Sequence, residues 1–259
     1  RHTAPASGRP VRIAPEQFGG SWALTRVVGS AGEIHSLDPW VACTGRQVWL
    51  CECLRPAVVL GSTQPEHHLD VDRLRAAGVE LARRRSGGGA VLVVPDETVW
   101  VAVAVPSADP LWVADVGEAF VWLGRAWAHA LNSLRSPGSR SGSPDDGIAT
   151  VHQGSLRRTA WSAHACFAGL GPGEVSVDGR KVVGISQRRT REGAVFHCAA
   201  HLGTSGTDLA ELLALREGDR DEVFAALSCG SGSLSGAVGR LLDRAEVDQA
   251  LLSHPAFGL

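Results

Sequence analysis

No stretch of this chain approaches the ~18 uninterrupted apolar residues of a membrane-spanning helix, so no membrane span is expected. The start, RHTAPASGRPVRIAPEQ, has no apolar h-region, so no secretory signal is expected either. The net charge is only −2 over 259 residues, which excludes the broad positive field of a nucleic-acid or anionic-membrane binder. Eight tryptophans are present, but no basic stripe accompanies them, so they read as core rather than as a base-stacking platform. The chain has no Met, from which nothing functional follows. Six cysteines (43, 51, 53, 166, 198 and 229) are scattered, and with no signal they read as reduced thiols of a cytoplasmic protein. Cys51 and Cys53 are not a Cys-x-x-Cys pair and suit packing on one strand face. His197 and His201 stand four apart but on a strand-like run, where a helical metal pair is not expected; no metal ligand is assigned.

Hydrophobic residues make up 44% and charged residues 20%, ordinary values for a globular chain long enough to bury a core. Residues 1 to about 12 read as a flexible tail, and 13–259 as a single domain with no internal repeat or convincing linker. GGSWALTRVV (19–28) suggests a weak early helix. RQVWLCECL (46–54) alternates like a strand, and AVVLGSTQ (57–64) like a second strand ending in a polar turn. DVDRLRAAG (70–78) fits a short helix capped by Asp70 and stopped at Gly78. Residues 90–94 and 98–105, separated by Pro-Asp-Glu, suggest a hairpin. Residues 116–134 carry a helical apolar face (Phe120, Leu123, Trp127, Ala130, Leu131, Leu134) behind an Asp115/Glu118 cap. Residues 135–147 read as a loop. EVSVDGRKVVGIS (174–186) is a hairpin with Asp178-Gly179 at a type I′ turn. Residues 207–215 and 237–252 read as C-terminal helices linked by 228–236. The expected class is α+β: a mixed, largely antiparallel sheet flanked by helices.

Two stretches carry chemistry. In RRRSGGGAV (83–91), consecutive glycines let backbone N–H groups approach a ligand and form an anion nest, with arginines as long-reach donors for carboxylate or phosphate. A Gly-rich turn with solvated arginines is the plainer alternative. No Gly-Lys-Ser/Thr follows, so this is not a P-loop, and a β-run rather than a helix follows, so it is not a dinucleotide fingerprint. In CFAGLGPGEVSVDGRKVVGISQRR (166–189), Lys181 lies just past a tight turn. Aimed inward, it would stabilise charge on a carbonyl or phosphate oxygen; aimed outward, it is an exposed strand lysine.

Together, RRRSGGGAV, GRKVVGISQRR and VVLGSTQP (58–65) resemble, in order and spacing, the lipoate–protein ligase family of the biotin/lipoate ligase superfamily. The resemblance covers about residues 40–215. It implies the family's catalytic-domain fold, which is class II synthetase-like. It also implies that Arg84, Ser86, Gly87, Gly88, Gly89 and Ala90, with Gln64, line the acyl and acyl-adenylate pocket. Lys181 would be the central cation, and Gly184, Ser186 and Gln187 would shape the pocket beside it. The acyl chain would lie in an apolar tunnel.

The resemblance leaves two chemistries. A ligase activates lipoate or octanoate with ATP and Mg²⁺ and transfers it to a lysine of a lipoyl domain, of a 2-oxoacid dehydrogenase or glycine-cleavage protein. The SGGGAV loop favours this branch. A transferase takes octanoyl from an acyl-carrier protein through a cysteine, and Cys166, fifteen residues before Lys181, is placed for that. The chain as given is too short for the small C-terminal domain of the larger ligases, which implies an accessory subunit or the transferase route. Two segments depart from the family pattern. VVPDETVW replaces an Asp-x-Gly-Asn-like segment, leaving only Asp96 or Glu97 to serve there, and FHCAAHL has Cys198 where Gly is usual. These departures keep open a third reading, a non-catalytic acyl- or biotin-binding homologue. On the sequence, Lys181→Ala is expected to abolish transfer and leave the fold intact.

Overall fold

The computed structural model describes residues 11–16, 22–41, 43–135, 149–203, 208–216 and 218–258. The strands are β1 (Arg12–Glu16), β2 (Trp22–Gly29), β3 (Arg46–Cys53), β4 (Ala57–Leu60), β5 (Glu80–Arg83), β6 (Val91–Val93), β7 (Thr98–Pro106), β8 (Thr150–Val151), β9 (Val175–Val177), β10 (Arg180–Arg189) and β11 (Gly193–His201). The helices are α1 (Ala31–Ser36), α2 (Val71–Ala76), α3 (Val121–Leu134), α4 (Leu209–Leu212), α5 (Asp219–Gly230), α6 (Leu234–Val238) and α7 (Arg244–Leu252). Eight strands form one sheet in the order β1-β2-β3-β7-β11-β10-β9-β8, antiparallel except for the β2/β3 pair. A three-stranded sheet, β5-β4-β6, lies apart from it in the hydrogen-bonding scheme.

The large sheet is covered on both faces, which explains β7: TVWVAVAVP is buried at every position but the last, as a strand without a wet face must be. On one face Val101, Val103 and Val105 pack with Leu123, Trp127 and Leu131 of α3 and with α6 and α7. On the other, Trp100 and Ala102 pack with α1 and with Val59 and Val93 of the small sheet. A third core, under the small sheet, joins Val58, Leu60 and Leu92 to α2, α4 and α5. The α+β class therefore holds, with helices distributed over three cores.

Several local expectations hold and several are corrected. Asp70 caps α2 by accepting from the Arg73 N–H, and Gly78 stops it at φ 65°. Asp115 accepts from the Glu118 N–H at 2.8 Å, just ahead of α3. Asp178 and Gly179 both have positive φ, 50° and 75°, as a type I′ turn demands. Residues 22–28, expected as helix, are strand: β2 pairs with β1 and with β3, and that sheet pairing outweighs a weak helical pattern. The nearby helix is α1, started by a Ser30/Glu33 capping box. Residues 90–94 and 98–105 are strands but not a hairpin, because β6 joins β4 in the small sheet while β7 joins β3 and β11 in the large one. The 228–236 link is in part the end of α5, an unanticipated helix, and 237–252 is two helices broken at Gly239, φ 80°. The expected loop at 135–147 lies outside the described residues except Arg135, and the tail at 1–12 except Val11 and Arg12, of which Arg12 opens β1. No helix of the described residues is long and apolar enough to cross a membrane.

Candidate active site

The glycine loop joins β5 to β6 and is held by Arg84, not merely flanked by it. Arg84 is 4% exposed. Its guanidinium donates to the carbonyls of Val59 (3.0 Å), Gly87 (2.8 and 3.2 Å) and Gly89 (2.8 Å). Burial pulls its pKa down, opposed by the charges of Cys166 and Glu174. Arg83 and Arg85 likewise reach backbone carbonyls, of Gly61 and Gln64 and of Ser36. The arginines beside the loop therefore tie backbone to backbone.

The loop's glycines are required by close approach. A Cβ on Gly61 would stand 2.0 Å from the Gly88 carbonyl oxygen, and one on Gly89 would stand 2.8 Å from the backbone of Ser162 and Ala165. Gly88 itself has φ 102°. Gly61→Ala should cost roughly 2–4 kcal/mol and shift the loop, because the clash is with backbone rather than a mobile side chain; thermal unfolding measures the first effect. An unchanged melting temperature would mean that the two turns are not in contact. Gln64, buried in the facing turn, accepts from the Gly61 N–H and donates to the His164 carbonyl, so it shapes this turn. Ser86 Oγ donates to Ser186 Oγ at 2.9 Å, pinning the loop to β10. Ala90 exchanges backbone bonds with His164 and Cys166, carrying the loop to the cysteine segment.

Lys181 is 3% exposed. The β9/β10 register shifts between Lys181 and Val183. By strict alternation Lys181 and Gly184 would lie on opposite faces; the bulge brings them together, with the Lys181 Cε 3.3 Å from where a Gly184 Cβ would be. Lys181 Nζ donates to the carbonyls of Cys166 (2.9 Å) and Gly169 (3.2 Å) and pairs with Glu174 Oε1 at 2.7 Å. Three oxygen acceptors thus match its three N–H bonds. Cys166 Sγ stands 3.5 Å away, and the Phe167 ring centroid 5.0 Å. Burial alone would lower the pKa of Lys181, but the charges and hydrogen bonds of Cys166 and Glu174 outweigh it and hold the ammonium above its ordinary value.

Glu174 was not singled out in the sequence. Its carboxylate also accepts from the N–H groups of Gly171 (2.6 Å) and Ile185 (3.1 Å). The signal existed: a two-residue turn at 178–179 pairs 177 with 180, and counting back sets residue 174 opposite 183, on the same strand face as Lys181.

Cys166, Arg84, Gly184 and Ser186 line a narrow cavity between the two sheets, with Phe167 and the β-branched Val59, Val91, Val93 and Ile185. His35, Trp100 and His197 complete it, from α1, β7 and β11. None of these three was expected at the site, because they come from separate elements with no shared motif. Gln187 does not line the cavity. It follows Ser186 on β10, and its Oε1 accepts from Arg189, which in turn holds the 113–115 backbone. Asp96 and Glu97 occupy the turn before β7, where Glu97 accepts from Gly203, and they too stand outside the cavity. Cys51 and Cys198 are buried thiols, each pushed up to about 12 by desolvation, which leaves them as packing groups.

The family model for the lipoyl protein ligase A/B catalytic domain matches residues 42–256. The octanoyltransferase LipM of Moorella thermoacetica is 28% identical over 201 residues, 76% of this chain and 68% of that protein. The bi-partite lipoate protein ligase of Thermoplasma acidophilum, solved in work that includes its E2 lipoyl domain, superposes with a TM-score of 0.59 at 20% identity, over 80% of this chain and 68% of that one. A lipoate-protein ligase A bound with ATP gives 0.54 at 18% identity, over 80% and 70%. The match along most of its length, on a fold shared with these ligases, makes this chain a member of the lipoyl protein ligase A/B catalytic domain family.

Proposed function

We propose that this protein transfers an octanoyl group from a carrier-protein thioester to a lysine of a lipoyl domain, with Cys166 as the nucleophile. The observation that carries the reading is the Cys166 Sγ, 3.5 Å from the Lys181 ammonium and lining the same cavity that would hold the acyl chain. The sulfur attacks the thioester carbonyl, the acyl–sulfur bond forms, and the carrier thiol leaves with a proton. The lipoyl-domain amine then attacks the acyl-Cys166 carbon. An amide forms, the carbon–sulfur bond breaks, and the amine proton returns to sulfur. Lys181 supplies fixed positive charge where sulfur and carbonyl oxygen carry negative charge.

Two observations move the preference away from the adenylate-forming ligase that the SGGGAV loop suggested. Arg84 and Lys181, the cations expected to hold carboxylate or phosphate, already direct their hydrogen bonds to protein oxygens. The LipM relative, an octanoyltransferase by name, agrees with that preference.

The test is the intact mass of a lipoyl domain incubated with the enzyme and either octanoyl-carrier protein without ATP, or octanoate with ATP and Mg²⁺. An octanoyl gain is expected in the first tube, lost by roughly a thousandfold in rate with Cys166→Ser. A gain in the second tube only, retained by Cys166→Ser, would establish the ligase instead. Binding of octanoate with no gain in either tube would favour the non-catalytic homologue.

A further inference from the structure

Strand register defines the floor of the cavity. Gly184 of β10 lies opposite Ala199 of β11, Ala199 opposite Trp100 of β7, and Trp100 opposite Cys51 of β3. Opposed residues of neighbouring strands share a sheet face, and Gly184, Ala199 and Trp100 all line the cavity. Cys51 is 1% exposed and belongs instead to the packed core behind Trp100, with Val27, Ala31 and Ile34. Across the strands the row therefore runs small, small, large, and then solid core.

The first end of this row is where the chemistry lies. Cys166 Sγ is 3.5 Å from Lys181 Nζ, and Nζ is 3.6 Å from where a Gly184 Cβ would stand. The far end is held in place. Trp100 is 2% exposed, its Nε1 donates to His197 Nδ1 at 3.1 Å, and the His35 ring of α1 lies 4.6 Å from it, centroid to centroid. Withdrawal of the indole would break that hydrogen bond and drive the ring into a close-packed core. Two strand spacings separate β10 from β7, about 10 Å. An extended octanoyl chain spans about 9 Å from carbonyl carbon to methyl, since its carbon–carbon bonds of about 1.5 Å run in zigzag. Two further methylenes add about 2.5 Å, which is more than the row leaves.

We infer that Trp100 is the stop that sets acyl length. The inference rests on the acyl-transfer reading for its substrate class. The acyl carbonyl sits at Cys166, the methylenes cross Gly184 and Ala199 beneath Val59, Val91 and Val93, and the terminal methyl of an eight-carbon chain meets the indole. A smaller residue at 100 lengthens the passage, and a larger one at 199 shortens it.

The experiment measures acyl-Cys166 formation by intact mass with hexanoyl, octanoyl, decanoyl and dodecanoyl thioesters of carrier protein. It runs on the wild type, Trp100→Leu and Ala199→Val. In the wild type octanoyl should react fastest, with decanoyl and dodecanoyl at least about tenfold slower. Trp100→Leu should move the optimum to decanoyl or longer, and Ala199→Val should move it to hexanoyl. Trp100 is a core side chain, so if Trp100→Leu does not fold, Ala199→Val, which deletes nothing, decides alone. Calorimetric binding of the matching free carboxylates reads the cavity without the transfer step. A wild type indifferent to length, or variants that keep the wild-type profile, would overturn the stop and leave the transferase reading standing. Carboxylate optima that shift as stated, with no acylation by any donor, would uphold the stop and overturn the transferase reading. Neither binding nor acylation at any length would overturn both.

Discussion

Lys181→Ala should both abolish acyl transfer and destabilise the protein by about 3–5 kcal/mol, the cost of leaving one member of a buried ion pair without its partner. The sequence alone suggested an intact fold, on the ground that a strand lysine beside a turn is not core. The structure corrects that: Lys181 and Glu174 are 3% and 5% exposed, and their charged atoms are 2.7 Å apart. Removal of the ammonium strands a carboxylate in the interior and frees two carbonyls that it had satisfied. Lys181→Met with Glu174→Gln separates the two effects. The neutral pair should recover much of the lost stability, since the glutamine carbonyl still accepts a backbone N–H, while activity stays absent. Denaturant unfolding and acyl transfer on the three proteins measure this. A Lys181→Ala protein as stable as wild type would show that the buried pair is not formed.

The second large effect is acid lability. Burial lowers His35 well below its ordinary pKa, and His197 and His201 from 6.5 to about 4. A depressed histidine makes the unfolded chain bind a proton before the folded one does. Stability from these groups is therefore complete above about 6.5 and is lost as pH falls toward about 4. His201, 2% exposed, contributes about 3 kcal/mol to this loss by itself. Set against a typical total of roughly 5–15 kcal/mol, that loss, with His35 and His197 acting in the same direction, should weaken the fold markedly within that window. Melting temperature against pH should fall steeply there, and His201→Gln should flatten the slope. A flat profile between these limits would mean that the three imidazoles are open to water.

What could be read in advance followed from locality. The glycine loop, Lys181 and Cys166 each announce themselves by neighbours in sequence, and the 178–179 turn fixes its own hairpin through two positive-φ residues. The β6/β7 hairpin misled for the opposite reason: the Pro-Asp-Glu segment looks like a hairpin turn, and only the separate pairing of β6 with β4 and β7 with β11 shows that it changes sheets. Arg84 was legible as a residue of the site but not in its role, because the carbonyls it holds belong to a strand and a loop whose approach depends on tertiary packing. Glu174 required hairpin register, and His35 and Trp100 required the large sheet and α1 to be placed together.

The change of sheets has a mechanical consequence. Residues 94–97 stitch the small sheet to the large one on one side of the acyl cavity, and the Ser86–Ser186 hydrogen bond ties them again through the glycine loop. Layers fastened in this way cannot swing apart like a clamshell. On the transferase proposal an acyl chain would therefore enter lengthwise between the layers, and its bulk in cross-section should weigh on how fast it enters.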